Sequence, residues 1–190
     1  WHASLGRVVL VSYDGSTWLW DGIAWTQVPG IPFAVLRGEF ALAYDEARQA
    51  TVLFGGVAAS GTVYADTWEF DAAGWQLRTP AHTPVAGRVT AAFDRVRQRI
   101  VLRVNDPPLP TTWEYDGIDW VTIPSVVPAP AAWGTRLVTS PTNGRCWLFD
   151  GGWSPIETVH VRELQGQSWV PLTGSLVPGP RFGAGVAVDL

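Results

Sequence analysis

Two pairs of carboxylates, Asp45/Glu46 and Glu69/Asp71, lie close enough in sequence to suggest the acid and partner of a glycosidase. His2, His82, His160 and the single Cys146 are the other groups that could ligate a metal or attack a substrate. Their contexts argue against each use. The histidines fall in unrelated surroundings with no ligand spacing, so neither a metal nor a cofactor is expected. Cys146 sits in an apolar stretch that reads as a strand, where a small buried hydrophobe is its expected role, and one cysteine cannot form an intrachain disulfide. No G-x-S-x-G and no phosphate-cradling loop is present. Gly183 and Gly185 in RFGAGVA look like a glycine fingerprint, but they open an expected strand. The carboxylates stand at turns and at repeated positions. Recurrence points to structural work, because Asp readily bonds its own backbone in a turn.

The repeat that carries them is TWLWDGIAW at 17–25, TWEFDAAGW at 67–75 and TWEYDGIDW at 112–120. Thr17, Thr67, Thr112 and Thr158 are read as the starts of four copies, 45 to 50 residues apart. The fourth is degraded, with Val159 in place of Trp and three extra residues before Trp169. Self-similarity at this period marks a propeller blade or a solenoid unit. Ahead of the motif, each unit shows a small apolar strand ending in Asp45 or Asp94, a polar turn, and a bulkier apolar strand. The motif supplies two more strands around an Asp-Gly-type turn, which provides the φ > 0 positions of a tight hairpin. Four short antiparallel strands per unit are therefore predicted.

The chain opens with three strands of a unit, from 7 to 28, and closes with PRFGAGVAVDL, an isolated first strand. The expected fold is all-β, one domain over 1–190: a β-propeller with units at 181–190 plus 7–28, 37–78, 86–123 and 132–172. The C-terminal strand would pair with the N-terminal strands to seal the ring, removing exposed edges. The paired residues Trp18/Trp25, Trp68/Trp75 and Trp113/Trp120 are expected to pack between units, since four twisted strands cannot bury their own faces. Each would bury ~150–250 Å², with an upper-limit transfer value of about 4–6 kcal/mol. The rival use of such Trp pairs is an aromatic platform for a carbohydrate.

Composition narrows the classes further. The chain is 47% hydrophobic and 16% charged with 12 Trp, which excludes a disordered segment. Net charge is −4, and no basic run could track a phosphate backbone, so no nucleic-acid partner is expected. No apolar run approaches the ~20 residues of a membrane helix, so no membrane insertion is expected. With no Met in the sequence, Trp1 reads as a processed or cut end.

The pattern Arg37…Asp45, Thr51–Gly56 and Asp66…Trp75, written R-x-x-x-A-x-A-Y-D…VLFGG…DTWEFD…W, resembles bacterial kelch repeats. The double glycine of that pattern stands at Gly55-Gly56 and again at Gly151-Gly152. The resemblance implies a propeller of four-stranded blades, and for function mostly the binding of other macromolecules. A minority of such propellers are enzymes, including copper-radical oxidases that gather Tyr, Cys and His; no His here falls near a Tyr in the repeat register.

One face is expected to be poor in charge. The loops between units, 28–37, 79–87, 123–134 and 172–181, are Pro-rich and apolar, with Arg37 and Arg181 their only formal charges. Charge depletion with exposed aromatics marks interface centres. The function expected is therefore a non-catalytic protein-binding or scaffolding module, with Phe33, Trp133 and Trp153 as anchors for a protein partner or a second copy. The alternatives are a structural segment or subunit of a larger propeller assembly, and a small carbohydrate-active or oxidase enzyme with its site at the ring axis.

Overall fold

The computed structural model describes residues 1–31, 36–85, 87–106, 110–124, 134–149 and 161–172. It is all-β, with no α-helix among the described residues. Four antiparallel sheets follow one another along the chain. The first holds β1 (Val8–Val11), β2 (Thr17–Trp20) and β3 (Trp25–Val28). The second holds β4 (Arg37–Gly38), β5 (Ala41–Asp45), β6 (Ala50–Ala58), β7 (Val63–Asp71) and β8 (Gly74–Arg78). The third holds β9 (Val89–Asp94), β10 (Arg99–Val104), β11 (Thr111–Tyr115) and β12 (Trp120–Ile123). The fourth holds β13 (Arg136–Thr139), β14 (Cys146–Phe149), β15 (Val161–Gln165) and β16 (Ser168–Pro171).

Each motif folds as a hairpin in one register. Its fourth residue faces its ninth: Trp20 opposite Trp25, Phe70 opposite Trp75, Tyr115 opposite Trp120, Leu164 opposite Trp169. The turn is closed from within. Asp21, Asp71 and Asp116 accept backbone N–H groups of Ile23, Ala73 and Ile118 at 2.8 Å. This register corrects the fourth copy. With Leu164 opposite Trp169, the motif runs VRELQGQSW from Val161, not from Thr158, and it contains no extra residues. Val161 stands where the other copies have Thr, and Arg162 where they have Trp. Matching on a conspicuous Thr misplaced the copy by three residues; the fixed length of the hairpin decides it.

The turn before the second strand also repeats. Gln49, Gln98, Gly6 and Gly144 adopt positive φ of 57°, 56°, 59° and 74° at the same place. Two residues of four thus accept a left-handed backbone without being glycine. In the second sheet, β6 is long and carries a bulge between Phe54 and Gly56. The bulge lets β5 pair with the first half of β6 and β4 with the second half. Gly55 and Gly56 make this turn of the strand at φ of 71° and 116°.

The core lies between sheets. Ala41, Ala43, Val52 and Phe54 of the second sheet pack with Phe93, Ile100, Leu102 and Trp120 of the third. Ala92, Val101 and Ile123 of the third pack with Leu137, Cys146, Leu148 and Trp169 of the fourth. Small residues on β5 and β9 let the strands at the inner end crowd together. The strand expected from 180–190 lies outside the described residues.

Gly56 gives a direct test of the bulge. A Cβ there would stand 2.9 Å from the Gly38 carbonyl oxygen, on a backbone L side chains rarely adopt. Gly56→Ala is expected to cost about 1–3 kcal/mol, read as a lowered chemical denaturation midpoint.

Candidate functional site

The groups with chemical potential cluster at the joints between sheets, and one contact recurs there. In the second, third and fourth sheets the ninth-position Trp donates its indole N–H to the first-position Thr of the sheet before it. Trp75 reaches Thr17 Oγ1 at 2.8 Å, Trp120 reaches Thr67 Oγ1 at 2.9 Å, and Trp169 reaches Thr112 Oγ1 at 3.0 Å. Trp120 and Trp169 are each only 1% exposed. An indole needs an acceptor when buried, and the Thr hydroxyl meets that need across the joint. The second-position Trp behaves differently. Trp18, Trp68 and Trp113 each donate to the side chain two residues earlier, Ser16, Asp66 or Thr111, and stay half-buried. The two positions bond differently: the ninth reaches the preceding sheet and the second bonds within its own strand, while Trp113 also packs against the core shared by the second and third sheets. Trp25 departs from its equivalents, being 45% exposed.

The third-position Glu recurs as an ion-pair anchor. Glu69 binds Arg48 and also Arg78 at 2.7 Å; Glu114 binds Arg97 at 3.0 Å. Glu163 takes Asn143 at 2.6 Å, Trp147 at 3.0 Å and Gln165 at 2.9 Å. Burial opposes the charge of Glu163, but those donors and Arg145 outweigh it and hold the carboxyl below its ordinary value. Arg48 ties together Asp45, Glu69 and the face of Tyr115, with its guanidinium carbon 5.0 Å from the ring centre. Burial pushes the Tyr115 hydroxyl well up. Burial also works against the charge of Arg48, yet the Glu69 and Asp45 carboxylates more than offset it.

The paired carboxylates of the sequence are each engaged in separate contacts. Asp45 and Glu69 share Arg48, Glu46 binds Arg95 of the next sheet at 2.8 Å, and Asp71 closes its turn. Asp94 is fully buried, where one oxygen accepts the turn N–H groups of Val96 and Arg97 and the other accepts the Cys146 N–H at 3.0 Å. Cys146 is buried, and burial pushes its thiol well above the ordinary value. It lies in the second strand of its sheet, as expected. His82 binds Asp119 at the surface. His2 is buried against Tyr44 and Phe70, with burial lowering its affinity for a proton. Its bridge to Arg7 gives it the strand-end register of Asp45 and Asp94, which the sequence pattern had not assigned to it. Arg37, expected on a loop face, is instead buried and paired twice with Asp66, at 2.6 and 2.8 Å. Among the described residues no group of three His, Cys, Asp or Glu gathers as for a metal.

A hollow of about 560 Å³ opens between the inner strands β5, β9 and β13. Leu42, Ala43, Ala91, Ala92, Phe93 and Val138 line it, with Trp1 and Ala3 at one side. Its polar rim is Tyr44, Gln49, Thr139 and the Glu46–Arg95 ion pair. Its charged groups are neutralised by each other, so it has room for a small apolar or neutral group. The three anchors Phe33, Trp133 and Trp153, together with His160, Gly151, Gly152, Arg181, Gly183 and Gly185, lie outside the described residues. No protein-family model and no curated protein matches this sequence.

Two outcomes test the joints. Trp120→Ala should cost about 3–5 kcal/mol, as other large-to-small core changes do. Trp68→Ala should cost clearly less, and Thr67→Val about 1 kcal/mol, the net worth of the lost hydrogen bond. Equal midpoints for the two Trp variants would show that the ninth position is not special.

Glu163 sets a pH dependence. Its carboxyl is held below the ordinary 4.5, so its contribution is fully present above that value and fades as pH falls through the lowered one. Glu163→Gln should therefore be less stable than the parent at neutral pH and approach it in acid, measured by melting midpoint against pH.

Proposed function

We propose that this chain is a kelch-like β-propeller module with a non-catalytic role in binding or scaffolding protein partners. One observation carries the reading most: the carboxylates and arginines that could serve catalysis are spent on turns and on joints between sheets. Asp45, Glu69, Glu46, Asp94 and Glu163 each hold bonds that shape the array. An oxidase or glycosidase site would need free convergent titratable groups, whereas the hollow between β5, β9 and β13 has walls of Ala, Leu, Phe and Val and its rim carboxylate Glu46 is bound to Arg95. The repeated hairpin, the bulge at Gly55-Gly56 and the side-by-side sheets support the kelch-like reading.

Binding is assigned to the Pro-rich loops and to Phe33, Trp133 and Trp153, because large aromatics in a charge-poor patch dominate interface energetics. A second reading, a segment of a larger propeller assembly, is favoured by the exposure of Trp25, whose equivalents each bond the preceding sheet. Phe33→Arg and Trp153→Arg should abolish self-association or partner capture, followed by sedimentation velocity across concentration, while the far-UV spectrum and melting midpoint stay unchanged. Loss of the fold in both variants would make these residues packing between blades and remove the anchor assignment.

A further inference from the structure

We propose that the open side of the first sheet, centred on Trp25, is an interface for one further repeat unit supplied by polypeptide outside residues 1–190, and that this unit offers Trp25 a Thr hydroxyl. The proposal rests on the reading of the chain as a segment of a larger array, and it names what the neighbouring unit must carry.

The joint is directional. In each of the second, third and fourth sheets the ninth-position Trp reaches back to the first-position Thr of the preceding sheet. Trp25 holds that ninth position in the first sheet. Its ring already has the joined pose. It lies 5.4 Å from Trp20 at an interplanar angle of 40°, while Trp75 lies 5.0 Å from Phe70 at the same angle. Yet Trp25 is 45% exposed, and its indole N–H meets no acceptor among the described residues. A positioned, half-exposed Trp with an unused donor is an incomplete copy of a contact this molecule makes elsewhere.

Among the described residues, the first-position acceptors are committed. Thr17, Thr67 and Thr112 each already hold an indole. The equivalent residue of the fourth sheet is Val161, which has no hydroxyl. Among the described residues, neither the fourth sheet nor a second copy of this chain therefore offers an uncommitted first-position Thr for the contact. A unit with Thr at its first motif position can.

The edge of the first sheet agrees. β5, β9 and β13 each pair with the second strand of their sheets, whereas among the described residues β1 pairs with β2 alone. His2 bridges Arg7 as Asp94 pairs with Arg99, so the ladder for a strand beside β1 is begun at its end. One repeat period placed ahead of Trp1 would bring both the Thr and that strand.

The test joins residues 45–92, a full period containing Thr67 and the start of β9, directly ahead of Trp1 of the complete 190-residue chain. Trp oxidation by N-bromosuccinimide is followed peptide by peptide with mass spectrometry. In the unmodified chain Trp25 should react readily and Trp120 and Trp169 slowly. In the fusion Trp25 should become as protected as Trp120, and changing the appended Thr67 to Val should lower the melting midpoint of the fusion. Several results would overturn the proposal. Trp25 as reactive in the fusion as in the parent would do so, as would an unaltered midpoint with Val. Protection of Trp25 in the unmodified chain would do so too, pointing to the fourth sheet if it is independent of concentration and to a second copy if it rises with concentration. Trp120 and Trp169 reacting as fast as Trp25 would instead sink the array reading itself.

Discussion

An indole N–H given to a threonine hydroxyl on the preceding sheet is the contact on which this molecule depends. Each sheet is too thin to have a core of its own, so its stability is mostly the stability of its joints. Placing Trp at the joint hides a large apolar surface, and the Thr hydroxyl removes the penalty of burying the indole donor. The same pair also aligns neighbouring sheets, because the bond can form only when the first position of one hairpin meets the ninth of the next. Burial follows the series: Trp120 and Trp169 are enclosed and Trp75 is partly so.

Charge has a parallel duty. The third-position Glu faces the turn before the second strand, and that turn supplies Arg48, Arg97 or Asn143 as its partner. A buried carboxylate left alone would be costly, and these donors satisfy it. The first sheet has Leu19 at that position, which cannot form such a pair. Arg48 extends the network by covering Tyr115 of the next sheet, and Glu46–Arg95 adds a charged tie at the rim of the hollow. Ionic groups of the described sheets are thus held in bonds within and between those sheets.

The array is also polar in the directional sense. One end shows a Trp without its Thr, and the other end has Val161 at the acceptor position. Such asymmetry matters for assembly, because a head-to-tail joint either closes a ring or propagates. The loss of the hydroxyl at Val161 removes the bond that would make the fourth sheet equivalent to the others.

Much of this architecture was legible in the residues. Alternation of apolar and polar positions, Asp and Gly at turns, and a nine-residue motif recurring every 45 to 50 residues are local, so they announced the hairpins and the four sheets directly, but not the fifth strand β4 of the second sheet. The structural role of the carboxylates followed from recurrence. What the residues could not show was which partner each group meets across a joint. Nothing local separates Trp68 from Trp75, yet one bonds two residues back and the other reaches Thr17, 58 residues away. Arg37 looked like a loop charge until Asp66 folded beside it. The fourth motif was misread at Thr158 because a degenerate copy has no local landmark. Hairpin pairing, which is a matter of strand geometry, put Val161 in its place. Local chemistry thus determined the elements, and tertiary packing decided the joints, because a hydrogen bond between sheets depends on their distance in space and not on their separation in sequence.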